Sequence, residues 1–328
     1  MSGCMATDKP LVSIVMAVYE PNMDWLREQL ESLNAQTYPN LELIVCDDYS
    51  QHVEFSAIQS CVRDCISAFP YTIERNEKNL GSNQTFERLT LMAKGEYIAY
   101  CDQDDVWLKE KVETLVPLFN ETTVNLVCSD MYIIDGEGRQ KADSITQVRR
   151  HHIFRSGGAS LAEKLLFSNF VTGCTMLVRS EIAKASIPFC PYMLHDHYLA
   201  FYTALHGEIR STVTPLIRYR IHGGNQTGVM AGIIDKQSYL KIRIHEPILR
   251  LYWLRERFWG FPQIRILVSE GIQWLEARRD NMNKVYGSKK IVWKYRKFGQ
   301  LTALFELVAP QLPEFAFMVP IRMQVKKL

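Results

Sequence analysis

The run LVSIVMAVY at residues 11–19 is continuously apolar and rich in β-formers, which is typical of a strand buried on both faces. The segment WLREQLESLNAQ at 25–36 follows with apolar residues at helical spacing. A second apolar run, LELIVCDD, then occupies residues 41–48. A strand, a helix and a strand within roughly 40 residues predict a parallel βαβ unit.

The alternation of helix and strand patterns continues beyond this unit. The sequence predicts a helix at about 53–68, a strand at YTIER (71–75), a helix at NQTFERLTLMA (83–93) and a strand at EYIAYC (96–101). This order indicates an α/β protein with a mostly parallel central sheet flanked by helices. Sheets of this kind place their ligand sites at the carboxyl ends of the strands.

The patterns after residue 105 are more varied. Beyond about residue 231 the strand signals stop, and the sequence predicts a helical extension interrupted by prolines. Between these points we expect helices at 107–119, near 160–167 and at 195–207, strands at 126–135 and 172–178, and one or two strands from residue 211 that end in a Gly-rich loop.

The composition is that of an ordinary globular chain. Of the 328 residues, 47% are hydrophobic and 23% are charged, which argues against disorder and against a multi-span membrane protein. The length suggests one large domain with an appendage, or two domains. The first residues lack the basic segment and cleavage site of a secretory signal, so we interpret the first apolar run as a buried strand of a cytosolic protein.

The eight cysteines show no zinc-type spacing. Cys46, Cys101, Cys128 and Cys174 lie in or at the ends of apolar runs, where a free cysteine commonly acts as a small hydrophobic residue. Reduced thiols in the cytoplasm are the simplest interpretation.

Charge is distributed unevenly along the chain. Residues 1–230 contain 20 Lys and Arg against 28 Asp and Glu, a net charge of −8, whereas residues 231–328 contain 18 against 8, a net charge of +10. The second segment also holds Trp253, Trp259, Trp274 and Trp293. Such a segment fits peripheral contact with an anionic membrane, or aromatic residues that pack inward beneath a solvated basic face. No nucleic-acid-binding module accompanies the charge, so we expect no nucleic-acid partner.

The octet YCDQDDVW at residues 100–107 places Asp102, Asp104 and Asp105 directly after a predicted strand. Clustered carboxylates repel one another unless a cation or hydrogen-bond donors offset them, which points to a bound metal. An alternative is that they cap the helix predicted next. A second acidic pair, Asp47 and Asp48, also follows a strand, where turn aspartates are common.

Two familiar phosphate-binding motifs are absent from the sequence. The chain has no GxGxxG and no GxxxxGK[ST] segment, so glycine-rich cradles of those two kinds do not hold phosphate. A divalent cation on the DQDD carboxylates would serve instead, because Mg²⁺ often bridges protein carboxylates and substrate phosphates.

Together these segments resemble a known family. Residues 12–50 and 79–107 are similar to the amino-terminal half of a family 2 glycosyltransferase with the GT-A nucleotide-sugar-binding fold. The segments TGCTMLVRSEIA, LHDHYLA and YRIHGGNQTG resemble the bacterial rhamnosyltransferase-like branch. The resemblance covers roughly residues 10–230 and implies a GT-A catalytic domain at 1–230, followed by a basic, Trp-rich helical region at 231–328.

The resemblance also implies roles for individual residues. Asp196 would be the catalytic base, although an N-capping aspartate is the alternative, and His195 stands where many relatives have an acidic residue. Asp104, Asp102 and His222 would hold Mg²⁺ or Mn²⁺, while His222 by itself could be an ordinary surface residue. Thr172, Gly173, Trp107 and His195 would lie near the donor sugar or the acceptor, or residues 169–173 would simply enter a strand. Contacts to the nucleotide sugar would come from Ala17, Val18, Tyr19, Glu20, Asp47, Asp48, Asn79, Gly81, Asp102, Gln103 and Arg220.

The implied activity is metal-dependent, inverting transfer of a hexose, with L-rhamnose from dTDP-L-rhamnose as the first candidate and UDP-galactose or UDP-glucose as alternative donors. The implied acceptor is a hydroxyl of a surface polysaccharide or of a lipid-linked oligosaccharide at the inner face of the cell membrane. A non-catalytic carbohydrate-binding or scaffold module and a sugar-nucleotide pyrophosphorylase are the rival classes. A homo-oligomer is left open.

Overall fold

The computed structural model describes residues 9–149, 152–223 and 232–325, with the backbone alone at 300–303 and 322–325. The chain forms two compact units. The first comprises Met1–Phe189 and Leu194–His222, and the second comprises Cys190–Met193 and Gly223–Leu328. The division proposed at residue 230 and the predicted Gly-rich loop beyond residue 223 fall outside the described residues, so both stay predictions.

The first unit alternates strands and helices from its beginning. Its elements are β1 (Val12–Val18), α1 (Met23–Asn34), β2 (Leu41–Asp47), α2 (Phe55–Cys65), β3 (Tyr71–Arg75), α3 (Ser82–Met92), β4 (Tyr97–Cys101), β5 (Val106–Trp107), α4 (Lys111–Leu115), β6 (Val124–Ile134), β7 (Gln140–Ala142), α5 (Ile145–Val148), α6 (Ala159–Leu165), β8 (Met176–Arg179), α7 (Ser180–Ala185), α8 (His195–His206) and β9 (Glu208–Arg220).

The central sheet has the strand order β3-β2-β1-β4-β8-β6-β9-β5, with β7 beside β6. The first four of these strands are parallel, as the βαβ pattern predicts. The other half is mixed, because β8 runs antiparallel to both β4 and β6 while β6 and β9 are parallel. The expectation of a mostly parallel sheet therefore describes the first half, and reversed strands complete the second.

Burial explains why the first strands and helix form. In β1 every residue except Ala17 is buried, since α1 and α3 belong to layers that cover the sheet. Leu26, Leu30 and Leu33 of α1 are completely buried, and burial of each stabilises the fold by about 1.5–3 kcal/mol. Asn22 caps this helix by accepting hydrogen bonds from the backbone N–H groups of residues 24 and 25.

The helix predicted at 107–119 begins only at Lys111. The preceding residues are drawn into the sheet instead, because Val106 pairs with Arg218 and Trp107 with Ile217. A capping role for Asp105 is therefore wrong. That residue is completely buried, and the residue at the helix N-cap is Glu110.

In the second unit, the described residues from 232 onward contain helices and no strand, as expected. They are α9 (Lys236–Leu240), a π-helical turn (Lys241–His245), α10 (Glu246–Arg257), α11 (Pro262–Met282), α12 (Ser288–Lys294), α13 (Gln300–Val308) and α14 (Glu314–Val325). None of the helices in the described part of the chain combines the length and the apolar character that a membrane span requires. The seven described cysteines are buried, and none of them is paired in a disulfide.

Candidate active site

The acidic segments meet at one edge of the sheet. Strands β2, β1 and β4 are parallel neighbours, so their carboxyl ends lie side by side. Asp47 ends β2, Tyr19 and Glu20 follow β1, and Asp102 follows β4. The topology thus brings together groups that are far apart in sequence, at the edge where parallel sheets hold their ligands.

Asp48 organises the loop before α3. It is only 4% exposed, and its carboxylate accepts hydrogen bonds from the backbone N–H groups of Leu80 and Gly81, each at 2.8 Å, and from the Asn76 amide at 2.7 Å. Gly81 has φ +80°, a conformation that favours glycine. These three hydrogen bonds hold the Asp48 carboxylate against the loop that precedes α3.

Asp47 is completely buried, and both of its carboxylate oxygens have polar neighbours. The Ser50 hydroxyl donates to it at 2.6 Å, and Arg75 lies 3.1 Å from its other oxygen. Asn79 accepts a hydrogen bond from the backbone N–H of Gly81 and so belongs to the loop that Asp48 anchors. Contact of either aspartate with a nucleobase stays a prediction.

The side chain of Gln103 joins the loops that follow β1 and β4. Its oxygen accepts from the backbone N–H of Tyr19 at 2.8 Å, and its amide donates to the Tyr19 carbonyl at 3.0 Å. Glu20 accepts backbone N–H groups from residues 51–53, and those hydrogen bonds lower its pKa. Ala17 and Val18 end β1, and the 47% exposed Tyr19 is the part of this loop that is open to a ligand.

Asp104 and His222 are brought into contact. The His222 Nε2 lies 2.6 Å from a carboxylate oxygen of Asp104, although 118 residues separate them in sequence. The imidazole packs beside Trp25, with 4.8 Å between ring centroids. Two of the three predicted metal ligands are therefore adjacent in the structure.

Asp102 lies with Asp105 and Cys174, since one potential ligand atom from each falls within 4.8 Å of the others. Burial, together with repulsion from neighbouring carboxylates, raises the pKa of Asp102 to about 7 and that of Asp105 well above its usual range. One oxygen of Asp105 has no hydrogen-bond partner among the described residues. Crowded, poorly satisfied carboxylates suit a hard divalent cation, whereas burial raises the pKa of the Cys174 thiol and keeps it protonated.

Lys111 is a buried cation that the sequence analysis did not single out. Its ammonium donates to the Cys174 carbonyl and lies 3.1 Å from the centroid of the Trp107 ring. Burial lowers its pKa to about 8, and its charge lowers the pKa of Asp102. It occurs in the charged run KEK, which gives no signal of burial, so only the packing identifies it.

Arg220 supports residues 102–105, the acidic loop after β4, through hydrogen bonds. Its backbone N–H donates to Asp105 at 2.9 Å, and its guanidinium donates to the Asp104 carbonyl at 2.8 Å and pairs with Glu28. The residue is 1% exposed. In this arrangement it positions the loop, and contact with a substrate phosphate stays a prediction.

Asp196 lies in the first turn of α8 and is 6% exposed. Its two oxygens accept from the backbone N–H groups of Gly173 at 3.1 Å and His197 at 2.5 Å. Burial raises its pKa to about 6. The N-cap position is held by Leu194, so capping does not account for this carboxylate.

His195 packs against Phe86, with 4.1 Å between ring centroids, and burial lowers its pKa to about 3. The imidazole is therefore neutral at physiological pH. A side chain at Gly173 would place its Cβ only 2.8 Å from the His195 Nε2, which explains the glycine. Thr172 adjoins this contact. Trp107 is 3% exposed, so the structure places it within the core beside Lys111 and not on an open face.

The chain matches known proteins in sequence and in fold. The family model described as glycosyl transferase family 2 matches residues 13–185, more than half of the chain. The UDP-Glc:alpha-D-GlcNAc-diphosphoundecaprenol beta-1,3-glucosyltransferase WfaP of Escherichia coli is 27% identical over 249 residues, covering 74% of this chain and 92% of WfaP. The dTDP-rhamnosyl transferase RfbG of Shigella flexneri is 25% identical over 252 residues, covering 74% and 81%.

Two solved structures show the same fold at low identity. One is S. aureus TarS 1–349 in complex with UDP-GlcNAc, with a TM-score of 0.55, 15% identity, and coverage of 91% of this chain and 81% of the other. The other is the mannosyltransferase PcManGT from Pyrobaculum calidifontis in complex with GDP-Man and Mn²⁺, with a TM-score of 0.55, 16% identity, and coverage of 98% and 84%. The chain therefore belongs to glycosyl transferase family 2 and is a sugar-transferring enzyme with the GT-A fold.

Proposed function

We propose that this glycosyltransferase inverts the anomeric carbon of a nucleotide-activated hexose, with Asp196 as the base. The supporting observation is geometric: Asp196 accepts a hydrogen bond from the backbone N–H of Gly173, and the Sγ of the next residue, Cys174, lies within 4.8 Å of a carboxylate oxygen of Asp102. A base near one end of a donor site is what direct displacement by an acceptor hydroxyl requires.

The environment of Asp196 fits proton abstraction. With a pKa of about 6 the carboxylate is ionised at neutral pH, yet it is a stronger base than an ordinary aspartate. The backbone N–H groups of Gly173 and His197 fix its orientation. The acceptor hydroxyl loses its proton to Asp196 as its oxygen attacks the sugar from the face opposite the nucleotide, and no covalent intermediate is needed.

The residues of the acidic loop fit a divalent metal. Asp102 and Asp104, with His222 beside them, would hold Mg²⁺ or Mn²⁺, and Asp105 could complete the site. When bound, the metal would neutralise charge on the departing nucleoside diphosphate. In the protein itself, Gln103 and Arg220 keep this loop in place relative to β1 and β9.

The donor we propose is a pyrimidine nucleoside diphosphate hexose, either dTDP-L-rhamnose or UDP-glucose. Two relatives support these alternatives by name: RfbG is a dTDP-rhamnosyl transferase, and WfaP uses UDP-Glc. WfaP acts on a diphosphoundecaprenol-linked GlcNAc, which supports a lipid-linked oligosaccharide or surface polysaccharide as the acceptor.

A thermal-shift panel tests the donor. A ligand that binds the native state raises the melting temperature, so we expect a shift with dTDP-L-rhamnose or UDP-glucose that increases when Mn²⁺ is present. GDP-mannose is the control nucleotide sugar. A panel in which no nucleotide sugar shifts the protein, with or without metal, would favour a non-catalytic carbohydrate-binding module.

We also propose that the second unit binds anionic lipids at the inner face of the cell membrane. In α12, Lys289, Lys290 and Lys294 are exposed beside Ile291 and Trp293, which are 42% and 47% exposed. Basic side chains around exposed apolar ones suit the headgroup region of an anionic bilayer. This arrangement and the net charge of +10 over residues 231–328 support the proposal.

A further inference from the structure

The second unit contains an open hollow of about 800 Å³ between the end of α10 and one face of α11. The turn that joins these helices carries Trp259, whose side chain helps to line the hollow and which is 58% exposed. Arg265 and Gln273 of α11 also line the hollow, two helical turns apart. The hollow lies entirely within the second unit.

Neighbouring groups hold the polar side chains of the hollow in place. The Arg265 guanidinium lies 4.9 Å from the centroid of the Trp259 ring. The Tyr295 hydroxyl donates to Gln273 at 2.9 Å, and Lys297 pairs with Glu270 at 2.5 Å. A wall whose side chains are already ordered loses little conformational entropy when a ligand binds.

The charged groups at the hollow already have partners. Glu270 pairs with Lys297, and the Arg265 guanidinium lies over the Trp259 ring. Arg255 and Glu256 also pair with each other at 3.2 Å. A phosphate group or an anionic lipid surface would prefer unopposed basic residues, so this lining favours a neutral, strongly hydrogen-bonding ligand.

Neutral sugars combine the two properties that this wall requires. The C–H face of a sugar ring can lie on an aromatic ring, and its neighbouring hydroxyls can each donate and accept hydrogen bonds. Guanidinium, carboxylate and amide groups are planar and offer paired donors or acceptors to such hydroxyls. A small number of placed polar groups around an apolar surface is the usual composition of a ligand site.

We propose that this hollow binds uncharged sugar residues of the acceptor glycan, away from the reacting hydroxyl. The inference rests on the proposed function for the identity of the glycan as acceptor, while the binding itself requires neither donor nor metal. Trp259 supplies the stacking surface, and Arg265, Glu270 and Gln273 supply the hydrogen bonds.

The test measures glycan binding by the full chain, without nucleotide or metal, on an array of neutral, phosphorylated and uronic-acid-containing bacterial oligosaccharides of three to eight sugars. We expect wild type to bind at least one neutral oligosaccharide, and Trp259→Ala to bind it at least tenfold more weakly. Trp259→Phe, which keeps an aromatic face, should recover part of the affinity. Trp293→Ala is the matched control. Trp293 is also exposed, and the Arg296 guanidinium lies 4.6 Å from the centroid of its ring, but Trp293 does not line the hollow.

The proposal is overturned if wild type binds no neutral oligosaccharide, if Trp259→Ala binds as wild type does, or if Trp293→Ala loses as much affinity. It is also overturned if Trp259→Ala instead weakens binding to vesicles of phosphatidylglycerol. An Asp196→Asn chain separates the two proposals: it should bind the glycan normally and lose transfer. Retained transfer by that variant would contradict the proposed function and leave the glycan site standing.

Discussion

At the scale of single residues, environment distinguishes carboxylates that look alike in sequence. Asp196 accepts two backbone N–H groups and keeps a pKa of about 6 because it is buried. Glu20 accepts three and has a lowered pKa. Burial raises a carboxyl pKa and hydrogen bonds to the anion lower it, so the balance between them separates a proton acceptor from a loop anchor.

Asp196→Asn should lower kcat for sugar transfer by about 10²–10⁴, because the amide cannot accept the acceptor proton. The KM for the donor should stay within about twofold, and the melting temperature should fall modestly, because the amide can accept from only one of the two backbone N–H groups. Asp64→Asn, at an exposed position on α2, is the control. Steady-state kinetics with transfer near the wild-type rate in Asp196→Asn would remove Asp196 from the mechanism.

The pH dependence follows from the raised pKa of Asp196. The active form is the carboxylate, so kcat/KM should fall about tenfold per pH unit below about pH 6 and level off above it. The free energy of unfolding should depend on pH in the opposite direction to activity. Because folding raises the pKa of Asp196, its contribution to stability is present below about pH 4 and is lost as pH rises through about 6. A transfer rate independent of pH between 5 and 7 would contradict the assignment.

Lys111→Met should destabilise the protein by about 1–3 kcal/mol, because it removes the donor to the buried Cys174 carbonyl and the cation whose charge lowers the pKa of Asp102. Urea denaturation without added metal measures the change in free energy of unfolding. Lys109→Met is the control, since Lys109 is exposed and its pair with Glu110 at the surface contributes little. Equal effects of the two substitutions would show that Lys111 does not offset the acidic cluster.

At the scale of elements, close packing of the turn before β8 against α8 positions Asp196. The 3₁₀ turn Gly173–Thr175 precedes β8, and its first N–H holds the Asp196 carboxylate. That is why the predicted strand at 172–178 begins only at Met176. The turn and the start of α8 therefore form one structural support for the proposed base.

Gly173→Ala should disturb this support. The added Cβ would lie 2.8 Å from the His195 Nε2, and overpacking of a buried contact costs about 1–3 kcal/mol. We expect a lower melting temperature and reduced transfer in the same variant. Gly136→Ala is the control, because its Cβ would meet Trp25 at an ordinary 3.6 Å. The double variant Gly173→Ala/His195→Ala should lose less free energy of unfolding than the sum of the losses in the two single variants, because His195→Ala removes the atom that the new Cβ meets. A loss equal to that sum would contradict the proposed contact.

At the scale of the whole molecule, the two units differ in charge as well as in structure. The acidic residues that form the candidate site belong to the first unit, and most of the excess positive charge belongs to the helical region after residue 231. Donor chemistry and surface attachment can therefore be tested by separate substitutions in the full chain.

The full chain should co-sediment with phosphatidylglycerol vesicles, and binding should weaken between about 50 and 500 mM salt, because salt screens exposed charges. The triple variant Lys289→Glu/Lys290→Glu/Lys294→Glu should lose most of this binding. The control reverses exposed lysines of the first unit at positions 78, 94 and 109. Equal loss in both triple variants would indicate dependence on net charge alone, and unchanged binding by the α12 variant would exclude that helix.

Local patterns along the chain predict the βαβ order, the acidic edge of the sheet and the helical nature of the second unit. Continuous apolar runs and helical spacing are local patterns, so β1, α1 and β2 can be predicted from neighbouring residues alone. The contacts that each polar residue makes at that edge depend on long-range packing. Lys111 is buried although it belongs to a charged run. Arg220, which was predicted to contact the nucleotide sugar, donates to the Asp104 carbonyl, and His222 meets Asp104 across 118 residues. Burial and long-range contact set the charge and direction of these side chains, and neither is encoded in the spacing of residues along the chain.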